Sequence, residues 1–582
     1  MKQNRMTYSF LAFLSRHYAK VIAFVLLIAL SCLFIVVGLI GICAHTNMTE
    51  MDTAAYLGNA IEIRQLGFFG FIGACFSGNY TSANRHPLYM LLISPVAAKT
   101  IHSFIAAKIV TFVIGFIFVV VFYVALLRRY GIAVAAISTA CVAASATFLS
   151  LATMVACEAL LIFFVFLSWF FTVAGFQKRI YWLLAGAMSA CVYLTKATGL
   201  LVLPIFILSV ALRYRRQSLQ LLKDKYFWGF FLAFFIVASP LLVRNAVVYH
   251  DPFYNVNRHY LWMDSWQETY LPDFGQNLPA LGSYLQRHPP KEIAEIFLKG
   301  IFGRGPQLLN ACLKPFPFWQ KNAQYQLVTS SEIMVHSLWS VFIVVFALFG
   351  LWKVRKNDEF VVSLCWIIAV FLSVSWYSKM MLATRFMAPI APLFFIYAAL
   401  GASSLVKFFV KMVRHKHALV SLKTLFALFT VAFFVWVFIT VSAGYPLNKI
   451  NIAQSYGLPK NFNAVIVWLQ KNIKNDEHYF LGNVYLEQFF YFEGLVKGSP
   501  HKWPQFESLV ALKDYIKAND IRYGMLDVQS FVYRYQIFKG HFGFNKVAGL
   551  VPLKKIDGFK IVAADPTLPR FFVVMQFQPE EF

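Results

Sequence analysis

Residues 103–129 read SFIAAKIVTFVIGFIFVVVFYVALLRR, and the class of fold turns on this stretch. It is mainly apolar through residue 127 and is closed by Arg128-Arg129. A helix needs about 20 mainly apolar residues to cross the hydrocarbon of a bilayer, and this run supplies them with a basic stop at one end. The rest of the chain repeats the pattern. Of 582 residues, 59% are hydrophobic and only 13% charged, with a mean hydropathy of +0.62, whereas soluble domains carry about 25% charged residues. A water-soluble fold, disorder, a collagen-like repeat and a coiled coil are excluded on these grounds.

Eleven segments are expected to span, near 21–43, 103–127, 131–150, 158–175, 181–195, 199–212, 227–247, 334–352, 360–377, 386–406 and 424–443. The pair 181–195 and 199–212 is short, and reading it as one interrupted span would break the parity that follows. Basic residues crowd alternate connections: the N-terminus, Arg128-Arg129, Lys178-Arg179, 213–225, 353–356 and 407–423. These segments hold 21 Lys/Arg against three acids in or directly beside them, Asp224, Asp358 and Glu359. By the positive-inside rule they face the cytoplasm, which puts the N-terminus inside and the C-terminus outside. The net charge of +26 is then a matter of topology and anionic lipid, and nucleic acid is not an expected partner. The apolar run at 21–43 is long for a signal peptide and has no small-residue cleavage site, so it is read as a retained span.

The expected division is a transmembrane domain over 1–443, with outer loops at 44–102 and 248–333, and a C-terminal outer domain over 444–582. In the last segment helical and strand patterns alternate, near 461–474, 478–485, 505–518, 521–527, 545–552 and 558–563, which suggests a small α/β fold. Gly67, Gly70 and Gly73 among aromatic residues read as an outer loop. The eight cysteines form no disulfide framework or CxxC pair. No P-loop, HExxH or Asp-x-Asp motif occurs. ATP-driven pumping and zinc proteolysis are thereby disfavoured; no metal ligand set is visible, and a dependence on divalent metal is left open.

Ionisable side chains at membrane depth are costly and mark function. They are few here: Glu158 opens the fourth span, Lys196 separates the fifth and sixth, Arg244 and Asn245 end the seventh, and Lys379 and Arg385 bracket the entry to the tenth. Asp52 follows the first span. All fall at the outer face, whereas the cytoplasmic ends read as simply basic. Two carboxylates and several cations at one interface suit a substrate with an anionic head on a lipid tail. Cations would hold a phosphate and stabilise it as it leaves, and a carboxylate would take the proton of an attacking hydroxyl or amine.

Six short motifs in chain order carry a resemblance. They are Asp52-Thr-Ala-Ala-Tyr56, His86-Pro87-Leu88-Tyr89, Glu158 at the head of the fourth span, Leu194-Thr195-Lys196-Ala197-Thr198-Gly199, Pro240 to Asn245 with Asp251-Pro252-Phe253, and Arg385-Phe386 with Pro389 and Pro392. Together they resemble the GT-C-fold glycosyltransferases of the protein O-mannosyltransferase and lipid A aminoarabinose-transferase type. The chain departs from that pattern in Thr53, where the family often has Glu, and in Phe386, where it has Tyr. The resemblance implies a polytopic helical GT-C fold and transfer of a sugar from a polyprenyl-phosphate donor, with inversion, to a lipid, glycan or protein acceptor. It implies Asp52 as general base and Tyr56 and Asn245 as positioning residues. Lys196, Arg244, Arg385 and Arg85 would bind the donor phosphate, and Glu158 would orient the sugar, the acceptor or a cation. It also implies a bacterial inner membrane, with catalysis and the C-terminal domain on the periplasmic side. A lipid-linked oligosaccharide flippase and a surface-glycan polymerase or ligase are the competing readings. Against a transporter, no repeated halves and no midplane charges are evident.

Overall fold

The computed structural model describes residues 2–43, 51–82, 84–215, 220, 222–265, 268, 278–314, 330–412, 468–481, 497–502, 508–527, 542–545, 549–552, 557–565 and 572–581. Nine of the eleven expected spans coincide with helices, a tenth, 131–150, is broken in two, and the eleventh, 424–443, lies outside the described residues. Seven described helices are long and apolar enough to cross a membrane: Lys20–Leu39, Ser103–Tyr130, Glu158–Gln177, Ala197–Tyr214, Lys225–Tyr249, Asp358–Tyr377 and Ala388–Phe408. The chain is a multi-pass helical membrane protein with a small C-terminal α/β region.

Two expectations need correction. The segment 131–150 is two short helices, Ile132–Ala143 and Ala146–Ala152. Ser145 breaks the run by capping the second helix, its hydroxyl accepting the Phe148 N–H at 3.3 Å. Gly67, Gly70 and Gly73 lie in the helix Met51–Ser77, which bends at Gly67 where φ is +69°. Glycine adopts that conformation without the Cβ penalty other residues meet.

The short pair forms two helices rather than one interrupted span. Tyr181–Thr195 ends at Lys196, whose backbone is extended, and a 3-10 turn over Ala197–Leu201 leads into Val202–Tyr214. The Trp182 ring lies 5.6 Å from Phe206, and the Arg179 guanidinium lies 5.8 Å from the Tyr214 ring. The two helices are therefore antiparallel. The reversal is tight: a Cβ on Gly199 would collide with the Tyr193 backbone.

Small residues let helices approach in lipid, where packing rather than hydrophobicity drives association. Gly350 of Ser330–Lys353 and Gly401 of Ala391–Met412 face each other this way; a Cβ on Gly350 would strike the Tyr397 carbonyl, and one on Gly401 the Phe346 carbonyl. Gly350→Leu is expected to cost about 1–3 kcal/mol through overpacking. Thermal unfolding in detergent checks this, and an unchanged midpoint would contradict the close packing.

The end of the bundle opposite Glu158 is not simply basic. Among the described residues its three acids each meet an arginine from another part of the chain: Arg129 with Glu359, Arg179 with Asp224, and Arg213 with Asp358. Glu359 is buried and accepts from Arg129 at 2.7 Å, Tyr130 at 2.8 Å and Tyr397 at 3.4 Å. Buried charge persists where it is paired and hydrogen-bonded.

In the C-terminal region the strands β1 (His478–Leu481), β2 (Ser499–Lys502), β3 (Ile521–Asp527), β6 (Phe559–Asp565) and β7 (Phe572–Phe577) form one mixed sheet, ordered β2-β1-β3-β7-β6. β4 (Phe542–Asn545) and β5 (Gly549–Pro552) pair separately. β1 runs parallel to β2 and β3, and the helix Leu509–Ala518 leads into β3. Such alternation is what the sequence pattern suggested, although β2, β4 and β7 were not foreseen.

Candidate active site

Five of the sequence-selected side chains meet at one end of the bundle. Asp52 stands in the first turn of Met51–Ser77, and Glu158 in the first turn of Glu158–Gln177. Lys196 sits at the helix reversal, Arg85 just before the helix Pro87–Ile93, and Arg385 in the short turn Thr384–Phe386. Asp52 Oδ1 pairs with Arg85 Nη2 at 3.1 Å, and Asp52 Oδ2 with Arg385 Nη1 at 3.2 Å. Arg385 Nε lies 3.9 Å from Glu158 Oε1, which accepts from Lys196 Nζ at 2.7 Å. Arg385 therefore bridges the two carboxylates. The Phe386 ring underlies both neighbouring cations, 5.0 Å from Lys196 and 5.4 Å from Arg385.

Exposure separates the two acids. The Glu158 side chain is 1% exposed and the Asp52 side chain 34%. Solvent reaches Asp52 and does not reach Glu158, whose oxygen faces Lys196 and Arg385 as their fixed partner.

Local contacts hold this arrangement. Thr53 donates to the Val155 carbonyl at 3.2 Å, tying the helix of Asp52 to the loop before Glu158. The Tyr56 hydroxyl lies 3.1 Å from Cys157 Sγ, its ring packs edge-on to Tyr89 at 5.2 Å, and the Arg85 guanidinium lies 5.8 Å from its centre. Burial holds the Tyr56 phenol well above its usual pKa, so it stays a neutral support.

Three sequence candidates lie apart from this cluster. Arg244 is buried, donates to the Ser82 carbonyl and lies 5.6 Å from both the Tyr80 and Tyr249 rings. Asn245 donates to the carbonyls of Pro252 at 3.0 Å and Tyr254 at 3.1 Å. Lys379 Nζ lies 3.7 Å from the Tyr284 ring and 4.3 Å from that of Trp376, and burial pushes its ammonium down to about 8. Among the described residues no group of three or more His, Cys, Asp or Glu gathers as a metal site.

Residues 84–243 match the family model described as dolichyl-phosphate-mannose-protein mannosyltransferase. The matched stretch contains Arg85, Glu158 and Lys196, begins after Asp52 and ends one residue before Arg244. No curated protein matches the chain by sequence. Among solved structures, ArnT from Cupriavidus metallidurans bound to undecaprenyl phosphate is similar at 11% identity and a TM-score of 0.47, covering 93% of this chain and 97% of that one. The oligosaccharyltransferase AglB from Archaeoglobus fulgidus, in complex with an inhibitory peptide and a dolichol-phosphate, is similar at 13% identity and a TM-score of 0.42, over 90% and 74% of the two chains.

Sequence reasoning passed over Thr53 as a structural contact, and Cys157, Asn255 and Asn257 altogether. These residues bond mostly to backbone carbonyls or to one another across long chain separations, and no spacing rule announces such contacts.

Proposed function

We propose that the protein is an integral membrane glycosyltransferase that moves a sugar from a polyprenyl-phosphate donor to a hydroxyl or amine acceptor, with inversion, at the outer face of a bacterial inner membrane. The observation that carries this reading is the Asp52–Arg385–Glu158–Lys196 chain with Arg85 alongside. In it an accessible carboxylate stands beside three cations at one end of the helical bundle. The family matched over residues 84–243 is named for a polyprenyl-type phosphate donor and a mannosyl transfer.

In the proposed reaction the acceptor attacks the anomeric carbon from the face opposite the phosphate. The carbon–oxygen bond to phosphate breaks, and polyprenyl phosphate leaves with the bonding pair. Lys196, Arg385 and Arg85 stabilise its growing charge, because preorganised cations act most strongly where charge develops. Asp52 takes the acceptor's proton. In the free protein both Asp52 oxygens are occupied by arginines. A phosphate drawing on those guanidiniums frees Asp52, so donor binding readies the base. The C-terminal domain over 444–582 lies on the same outer side in this reading and has acceptor recognition as its candidate role. Arg244 and Asn245 support the outer loops, and the donor phosphate falls to the other three cations.

Lys196→Met is expected to raise the donor KM by about 10–100-fold, as loss of a charged hydrogen bond does, with a smaller change in kcat and a lowered thermal stability, since buried Glu158 loses its 2.7 Å partner. Donor titrations following release of free polyprenyl phosphate check this. Equal donor affinity in the two proteins would contradict the role given to Lys196. A flippase would instead move lipid-linked glycan across the bilayer and release no polyprenyl phosphate.

A further inference from the structure

The strap from Gly78 to His86 connects the helix of Asp52 to the helix Pro87–Ile93 and carries Arg85. Three of its carbonyls accept from a single segment of the second outer loop and the helix before it. Tyr249 donates to the Thr81 carbonyl and Arg244 to that of Ser82. Asn255 and Asn257 both donate to the Asn84 carbonyl at 3.2 Å, and Asn257 also reaches Asn84 Oδ1 at 2.9 Å.

Asn255 is the residue on which this arrangement turns. It is 6% exposed, and its amide is fully used. One N–H goes to the Asn84 carbonyl at 3.2 Å and the other to His86 Nε2 at 2.9 Å, while its Oδ1 accepts the Asn257 N–H at 2.8 Å. Burial pushes the His86 imidazole down to about 3, leaving it neutral with a lone pair to offer on Nε2. A single side chain therefore holds the residue before Arg85 and the residue after it. Arg85 is the residue between them, and its guanidinium reaches Asp52 at 3.1 Å.

We propose that Asn255 is the positioning residue that sets Arg85 against Asp52, so that the second outer loop is a structural part of the donor site. The activity consequences rest on the reading of Arg85 as a phosphate contact; the structural consequence does not.

The test uses the full chain in lipid nanodiscs. N255A is expected to raise the donor KM about tenfold, the effect of losing a buried hydrogen-bonding group, and to change kcat less. In a double-mutant cycle, N255A should add nothing to R85M, yet cost its full tenfold in K196M, because Lys196 is not attached to the strap. Multiplicative losses in both backgrounds, or no loss in the wild-type background, would overturn the proposal. Amide hydrogen exchange supplies an arm independent of the reaction. Peptides covering 78–86 should exchange faster in N255A, with those covering 340–352, in a helix remote from the strap, unchanged. Exchange unchanged over 78–86, or raised equally in both regions, would overturn the positioning role. If the wild-type protein releases polyprenyl phosphate from no donor, the glycosyltransferase reading fails, and the exchange arm alone decides whether Asn255 holds the strap.

Discussion

Asp52→Asn is expected to lower kcat by about 10²–10⁴-fold, the span typical of removing a general base, while leaving the protein inserted and folded. The substitution keeps the size of the side chain and removes its charge and most of its basicity. The side chain is about one-third exposed, so little burial energy depends on it. Arg85 and Arg385 lose an anion, but Arg385 keeps Glu158 at 3.9 Å. Donor binding should therefore hold, or even strengthen as the guanidiniums become free for phosphate. A fall in kcat with donor KM unchanged or lowered is the expected signature, and it distinguishes loss of a base from loss of a binding contact.

Glu158→Ala is expected to fail differently, by destabilising the protein and disabling it together. Glu158 is buried and holds Lys196 at 2.7 Å. Removing one member of a buried pair leaves the other charge uncompensated and costs about 3–5 kcal/mol. Replacing both members by apolar residues of similar volume is often neutral. The double variant Glu158→Leu with Lys196→Met should therefore recover most of the lost thermal stability and stay inactive. Recovered activity in the double variant would mean that the pair holds the fold and contributes nothing to the chemistry. Unrecovered stability would mean that Arg385, rather than Lys196, is the partner that Glu158 chiefly satisfies.

Most of the bundle was legible because a bilayer imposes a length of about 20 apolar residues on each crossing, and that signal survives without any tertiary information. The break at Ser145 was not legible. The run from 131 to 150 is apolar and small throughout, with no proline and a glycine only at its start, and a capping hydroxyl inside such a run looks like one more small residue. The bend at Gly67 was misread in the other direction, since glycines among aromatics suggested a loop where a kinked helix forms.

The candidate site was legible wherever an ionisable residue interrupts apolar sequence. That rule found Asp52, Glu158, Lys196 and Arg385, and motif order added Arg85. The same rule selected Arg244, whose charge turns to the Ser82 carbonyl instead. Sequence marks that residue as unusual without saying which way it faces. Nor could it pair Arg129 with Glu359, which are 230 positions apart, or show that Asn255 holds both neighbours of Arg85. Those facts belong to tertiary structure alone.

The central claim is that these five side chains form a lipid-phosphate glycosyl-transfer site. The direct measurement reconstitutes the full chain in lipid with a panel of polyprenyl-phosphate sugars and envelope extract as acceptor, and follows free polyprenyl phosphate in wild type and Asp52→Asn side by side. Release from one donor by wild type, lost in the variant, is the predicted result. Release at equal rates from both proteins would remove Asp52 from the chemistry. Release from neither, with lipid-linked glycan crossing the bilayer instead, would contradict the account at its root.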